Sequence, residues 1–315
     1  MPRNLAAAAA EEGWQEWLAT VPETVARARR LWSIDVGEPF QPGGMTAWVA
    51  PARAPSGDLL VLKVGWRHPE AEHEGRALRA WGGDGAVRLH ASMETEDTIV
   101  LLMEQCVPGT ALSCRPEPEQ DTVVAGLLRR LWIEPPPADG FRPLEVMCGQ
   151  WADRFEQQIA SGQSTSGQTT GGQTTGGQTT GGGLASGQGV NRRPGLDPGL
   201  ARAGAALFRE LPNTADRRDL LCTDLHAGNV LAAQREPWLV IDPKPYVGDP
   251  TYDLLQHMLN CEERLLADPR GFARRLADLF GLDCDRLLLW LFARCVIDSP
   301  DWPSLADVAH QIAPA

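Results

Sequence analysis

The sequence predicts an α+β chain of two lobes. A small antiparallel-sheet lobe spans residues 1–104, a connector spans 105–112, and a mainly helical lobe spans 113–315. Three observations lead there. Before residue 104, short apolar runs rich in Val, Ile and Leu, such as "DLLVLKV" (58–64) and "DTIVLLME" (97–104), lie between turn residues and read as strands. Past "CVPGTAL" (106–112), apolar positions recur at helical spacing instead. The Pro-Gly pair inside that stretch interrupts both patterns.

Taken in order, residues 11–32 predict a helix through Trp14, Leu18, Val21, Val25 and Leu31, interrupted at Pro22. Residues 33–50 predict two short strands around the turn "PGGMTA" (42–47). Strand 58–64 follows, then a helix over 70–81, then strands at 86–92 and 97–104. Beyond the connector, helices are predicted at 119–132, 144–159, 197–211, 251–267, 270–280 and 284–297, with strand pairs around 220–242. Between 161 and 189 the chain repeats "GQTTG" three times in succession and offers almost no apolar side chain, so it reads as a flexible insertion in the helical lobe.

Composition narrows the class of function. With 315 residues, 43% of them hydrophobic, the chain can bury a sizeable core. No apolar run approaches the ~20 residues of a membrane helix, and the start "MPRNLAAAAAEEGW" is a poor secretory signal, so a cytoplasmic protein without a membrane partner is expected. The formal charge of −12 disfavours nucleic acid as a partner and suits cations. Seven cysteines without a CxxC pair point to reduced thiols. Only two of the 29 basic residues are lysines, Lys63 and Lys244. A lysine kept in so arginine-rich a chain suggests a place for a compact ammonium that a planar guanidinium cannot fill.

The chemistry concentrates in "LLCTDLHAGNVLAA" (220–233) and the strand "PWLVID" that ends at Asp242. By itself the loop fits a decorated turn, a metal site, or the loop that positions a hydroxyl for phosphoryl transfer. The strand–loop–strand pattern gathers Asp224, Asn229 and Asp242. Oxygens from Asn229 and Asp242 suit Mg²⁺, which keeps few protein ligands, and Asp224 is then available to take a proton from an acceptor hydroxyl. Lys63 interrupts a buried strand and needs an anion. On the following helix Glu74 shares a face with Ala71, Leu78 and Trp81 and is the candidate partner. Gly43 and Gly44 of the "PGGMTA" turn allow backbone amides to approach phosphates. Asp249 and Pro250 suit a helix start, with Asp253 one turn in.

Lys63, Glu74, Asp224, Asn229, Asp242 and Asp253, in that order, resemble the small-molecule branch of the protein-kinase fold. More narrowly, "LLCTDLHAGNVLAAQREPWLVIDPKPYVGDPTYDLLQHMLNC", "FRPLEVMCGQW", "LARAGAALFRELP" and "FARCVIDSPDWPSLADVA" resemble the aminoglycoside 6-phosphotransferases (streptomycin 6-kinases) of the aminoglycoside/hydroxyurea kinase family. The resemblance spans nearly the whole chain outside 161–189. It implies a two-lobed protein-kinase-like fold and ATP-dependent phosphorylation of a cationic aminoglycoside, with Mg²⁺. Asp224 would be the base, Asn229 and Asp242 the metal ligands, and Lys63, oriented by Glu74, the phosphate contact. The connector "MEQCV", through Glu104 and Cys106, would meet adenine, and Asp253 would brace the catalytic loop. Acceptor-binding carboxylates are expected in the helical lobe, with Asp139, Glu145, Glu262 and Asp298 as candidates by position. A monomer is expected. Two departures stand out: Cys222-Thr223 precedes the base where His-Arg or His-Gly is usual, and Asp242-Pro243-Lys244 replaces Asp-Phe-Gly. Competing readings are a kinase of the same fold acting on hydroxyurea or a metabolite, a nucleotide-binding pseudoenzyme, and a metallohydrolase built on Asp224 and His226.

Overall fold

The computed structural model describes residues 1–137, 140–161 and 196–314. The "GQTTG" repeats and Asp139 lie outside the described residues. Packing divides the chain into two units, one of residues 1–142 with 219–247, the other of residues 143–218 with 248–315.

The first unit opens with helices α1 (Arg3–Glu12) and α2 (Gln15–Trp32), followed by strands β1 (Asp35–Val36), β2 (Ala47–Arg53) and β3 (Leu59–Trp66). Helix α3 (Glu74–Trp81), strands β4 (Leu89–Glu94) and β5 (Thr98–Glu104), and helix α4 (Glu117–Leu131) complete its N-terminal part. The five strands form one sheet in the order β1-β2-β3-β5-β4, and each pairing is antiparallel. Side chains alternate between faces along a strand. Leu60, Leu62 and Val64 of β3 join Ala50, Ala52, Val100 and Leu102 in a core closed by Leu5, Trp14, Trp17, Val21 and Ala28 from α1 and α2. Lys63, between Leu62 and Val64, therefore faces the opposite side. β3 is central, with Lys63 paired between Val49 and Leu101, so this lysine has no sheet edge from which to reach solvent.

The helix expected at 11–32 is two helices, because Gly13 takes the left-handed conformation (φ 80°) and closes α1. Pro22 does not interrupt α2. A helix-interior proline costs about 3 kcal/mol, and burial of Trp17, Val21 and Ala28 on one face of α2 offsets that. The expected helix at 70–81 begins only at Glu74.

The chain returns to this unit with β6 (Asp219–Leu221), β7 (Val230–Ala232), β8 (Trp238–Val240) and β9 (Tyr246–Gly248). β7 and β8 form a hairpin ladder, Val230 opposite Val240. Backbone bonds fasten it to the N-terminal part: Val87 N donates to Val240 O at 3.0 Å and Val240 N to Gly85 O at 2.9 Å. Ile133 and Leu220 form a further bridge.

The second unit holds α5 (Leu144–Ser161), α6 (Pro198–Glu210), α7 (Leu254–Asn260), α8 (Glu262–Ala267), α9 (Pro269–Phe280), α10 (Cys284–Asp298) and α11 (Ser304–Ile312). Phe208, Tyr252 and Trp290 meet edge-on or tilted at its centre, with centroids 5.1–6.3 Å apart. Asp249 accepts from Thr251 N at 2.9 Å, and from Arg286 Nε and Trp290 Nε1 at 2.6 Å each, which fixes the turn before α7. The helix expected over 251–267 breaks at Cys261, where Asn260 Nδ2 donates back to Gln256 O at 2.8 Å and competes with the helical ladder. α11 was not anticipated, although Leu305, Val308, Ala309 and Ile312 carry the helical period and are all buried.

α6 approaches α10 through Gly204, where a Cβ would lie 2.5–2.6 Å from three carbons of Val296. Gly204→Ala is therefore expected to lower stability by about 1–2 kcal/mol, overpacking outweighing the better helix propensity. Urea unfolding measures this, and an unchanged or raised midpoint would contradict the packing.

Candidate active site

The site lies wholly within the first unit. Two features bring Glu74 to Lys63. The inward face of α3 carries Glu74, Ala77, Leu78 and Trp81, all buried. Gly75 lets the helix settle on the sheet, since a Cβ there would come within 2.9 Å of Leu101 Cδ2. Lys63 Nζ then donates to Glu74 Oε2 at 2.6 Å and Oε1 at 2.8 Å, and to Asp242 Oδ1 at 2.6 Å. Burial opposes the ammonium, but the Asp242 and Glu74 carboxylates outweigh it and raise the Lys63 pKa. Burial likewise pushes Asp242 up, and Lys63 and Lys244 together overcome it and hold that carboxyl down to about 2. Glu74, almost fully enclosed, is pushed up by burial against the pull of Lys63.

The second cluster is built by the loop after β6. Asp224 N donates to Cys222 O at 2.8 Å, and Thr223 lies between them in the left-handed region, φ 51°. That conformation is costly for a β-branched residue. It is held because Lys244 N donates to Cys222 O at 2.9 Å and Thr223 Oγ1 donates to Lys244 O. Asp242 is left-handed too, φ 53°. Of the three non-glycine residues in that region, Ser33 closes α2 and the other two, Thr223 and Asp242, lie beside the reactive groups. His226 caps a short 3-10 turn, Ala227–Asn229, by accepting from Gly228 N at 3.1 Å through Nδ1. The turn delivers Asn229, whose Nδ2 donates to Asp224 O at 3.0 Å and lies 3.5 Å from Asp224 Oδ2. With its amide nitrogen turned to Asp224, Asn229 presents its carbonyl oxygen elsewhere. Lys244 Nζ donates to Asp224 Oδ2 at 2.6 Å, with Asp224 buried and Lys244 partly so.

The constellation thus reads Glu74–Lys63–Asp242 and Lys244–Asp224–Asn229, three carboxylates against two ammonium groups. Among the described residues no group of three or more His, Cys, Asp or Glu could hold a metal. The oxygens of Asn229 and Asp242 are a donor set for a hard cation that draws its remaining ligands from phosphate and water, and the residues present fit Mg²⁺ in that manner. The same observation gives no support to a metallohydrolase centred on His226, which is engaged as a turn cap.

The other anticipated residues are placed as follows. The Glu104 carboxylate pairs with Arg235 at 3.0 Å and accepts from Arg88 N at 3.1 Å, so its side chain is a structural anchor. The amides of Glu104 and Gln105 donate to Arg88 O and Leu59 O, so an adenine contact through a connector amide falls to Cys106 or beyond. Gly43, at φ 81°, packs on Pro2, and its carbonyl accepts from Asn4 Nδ2 at 2.9 Å; Gly44 continues the same turn. Asp253 is fully buried in the second unit. Three of the acceptor candidates have partners within that unit: Glu145 with Arg218 at 2.5 Å, Asp298 with Arg294 at 2.6 Å, and Glu262 with Trp302 Nε1 and Ser304 Oγ at 3.0 Å each. These bonds give the three carboxylates structural work. All seven cysteines are free thiols, five of them buried.

Sequence reasoning did not assign Lys244, Arg142 or His68 to the site. Lys244 had a signal, its survival as lysine. Arg142 stacks over Tyr246 at 4.6 Å, with Nε and Nη2 buried and without a hydrogen-bond partner among the described residues. His68 sits in the field of both lysines. Burial first, then Lys244 and Lys63, push its pKa down to about 4. The unfolded chain binds that proton near pH 6.5, so between pH 4 and 6.5 the unfolded state holds more protons and stability falls as pH falls. His68→Asn is expected to flatten that slope by up to about 3 kcal/mol in urea titrations; an unaltered slope would show that His68 is not so placed.

The antiparallel sheet with one helix inserted after its third strand, the helices that follow and the two charge clusters define a phosphotransferase of protein-kinase-like fold. The model of the family described as aminoglycoside/hydroxyurea antibiotic resistance kinase matches residues 35–304. The chain belongs to that family. It is 32% identical to a streptomycin 6-kinase of Streptomyces griseus, over 100% of this chain and 94% of that protein. It is 35% identical to a hydroxyurea phosphotransferase of Kitasatospora aureofaciens, over 90% of this chain and 73% of that one. Among solved structures, an amicoumacin kinase in complex with AMP-PNP, Ca²⁺ and Ami superimposes with a TM-score of 0.53, 11% identity and 95% coverage of both chains. No helix of the described residues is long and apolar enough to cross a membrane.

Proposed function

We propose that this chain transfers the γ-phosphoryl group of ATP, with Mg²⁺, to the 6-hydroxyl of streptomycin and so inactivates the antibiotic. The observation that carries the reading is the Asp224 carboxylate. Its Oδ2 is held by Lys244, and in this reading Oδ1 takes the acceptor hydroxyl. Asp224 takes the hydroxyl proton as the oxygen attacks. Lys63, gripped by Glu74, offers its ammonium to nucleotide phosphates. Asn229 and Asp242 would hold the metal, which would offset charge on the phosphate oxygens of ATP. Residues 1–104 would carry the nucleotide with help from Gly43 and Gly44, the connector 105–112 would meet adenine near Cys106, and residues 113–315 would supply the base and the acceptor site, with Asp253 bracing the loop. Streptomycin carries guanidinium groups, which the acidic balance of −12 favours. The near end-to-end match to a streptomycin 6-kinase supports this acceptor, and the match to a hydroxyurea phosphotransferase supports hydroxyurea as the second reading.

The acceptor is decided by comparing kcat/KM for the two compounds under one ATP and Mg²⁺ condition. The proposal expects streptomycin to win by at least about 100-fold, the scale of ~3 kcal/mol in transition-state binding. A preference for hydroxyurea would replace it.

A further inference from the structure

We propose that Lys244 is a catalytic residue of the transfer, an ammonium docked on Asp224 that also binds an oxygen of the phosphoryl group in flight. The inference rests on the phosphotransferase reading above and extends it. The loop around it is shaped to present this side chain. The Lys244 backbone is tied at both ends to the segment before the base, its amide to Cys222 O at 2.9 Å and its carbonyl to the hydroxyl of Thr223. Two strained backbone positions, Thr223 and Asp242, flank that tie. The result puts Nζ 2.6 Å from Asp224 Oδ2, in a neighbourhood that includes Asp242 and His68. An ammonium has three donors; Asp224 takes one, and the Asp242 and Glu70 carboxylates act on the same ammonium, so it stands in the field between the base and the metal-binding carboxylate. An acceptor oxygen bonded to Oδ1 of the same carboxylate on the side of that nitrogen would bring its incoming phosphorus toward the ammonium.

The step balances. The acceptor oxygen bonds to the γ-phosphorus, the bond from that phosphorus to the β,γ-bridging oxygen breaks, and the electron pair leaves with ADP. The hydroxyl proton goes to Asp224 Oδ1. Lys244 keeps its protons and contributes charge alone. The residue type follows from the same geometry. Lys244 donates to one oxygen of Asp224, whereas an arginine fork tends to take both. Arginine here would occupy Oδ1 and block the base, which accounts for a lysine in a chain whose other basic residues, Lys63 apart, are arginines.

The test uses Lys244→Gln and Lys244→Arg in the full chain. Gln keeps a donor for Asp224 and removes the charge; Arg keeps the charge and changes the fork. The proposal expects both to stay folded under assay conditions, Gln with a lower melting point because Asp224 loses its counter-charge, and to hold KM for ATP within about 3-fold, while kcat falls about 10²–10³-fold for Gln and at least ~10-fold for Arg. A purely structural lysine predicts the opposite, since either replacement would hold the loop. A kcat within about 3-fold of wild type in either folded variant, or a loss confined to KM, overturns the proposal. The slow release of ADP without acceptor is followed in parallel. If the wild type phosphorylates no acceptor but releases ADP, the acceptor reading has failed and the Lys244 comparison is still made on ADP. If the wild type releases no ADP under any condition, the phosphotransferase reading falls and this inference with it.

Discussion

Asp224→Asn is expected to leave the fold and nucleotide binding intact and to lower kcat by about 10²–10⁴-fold. The substitution is nearly isosteric, and the loop does not depend on the carboxylate for its shape. Backbone bonds from Asp224 N to Cys222 O, Ile241 N to Asn229 O and Lys244 N to Cys222 O hold it, together with the Asn229 amide on Asp224 O. What disappears is the acceptor for the hydroxyl proton. Steady-state rates with each acceptor, and calorimetric titration with an ATP analogue, separate the two properties. Turnover within 10-fold of wild type would remove Asp224 from the role of base.

Lys63→Met is expected to damage both stability and nucleotide binding. It deletes the ammonium that lies between Glu74 and Asp242, leaving Glu74 enclosed by protein with no counter-charge. Breaking a buried pair from one side costs about 3–5 kcal/mol. The pH dependence has a defined sign. Without Lys63, burial raises the Glu74 pKa further above its unfolded value. Its neutral form is tolerated at low pH, and stability is lost as pH rises through the folded-state pKa. The variant should therefore lose less at pH 5 than at pH 8. Lys63→Met combined with Glu74→Gln should recover part of the lost stability, because the enclosed Glu74 charge is gone and Asp242 keeps Lys244 as a counter-charge, and should not recover KM for ATP. Urea midpoints at the two pH values test the first statement and ATP kinetics the second. A single variant that loses equal stability at both pH values would show that Glu74 does not depend on Lys63.

Much of this site could be read from residue order. A lysine inside an apolar strand run demands an anion, and the helical period put Glu74 on the inward face of the next helix; the 2.6 Å contact follows from those two facts and Gly75. The strand–loop–strand around Asp224 and Asn229 was legible for the same reason, since its periods and turn residues are local. Lys244 on Asp224 was not. That contact depends on Thr223 and Asp242 adopting a left-handed backbone, which nothing in a threonine or an aspartate announces. The acceptor carboxylates had no comparable signal. Glu145, Glu262 and Asp298 are candidates by position alone, and each finds a basic or polar partner in its own helical unit. Helix breaks at Gly13 and Cys261 and continuity through Pro22 show the usual limit: propensity marks where a helix is weak, and packing decides whether it ends there.

The most direct test of the account is a mass spectrum of streptomycin after incubation with the purified chain, ATP and Mg²⁺, beside the same reaction with Asp224→Asn. The account predicts a gain of one phosphoryl group, located by fragmentation at the 6-hydroxyl, with the wild type and next to none with the variant. Equal phosphorylation by the variant, or a phosphoryl group on another position, would contradict it.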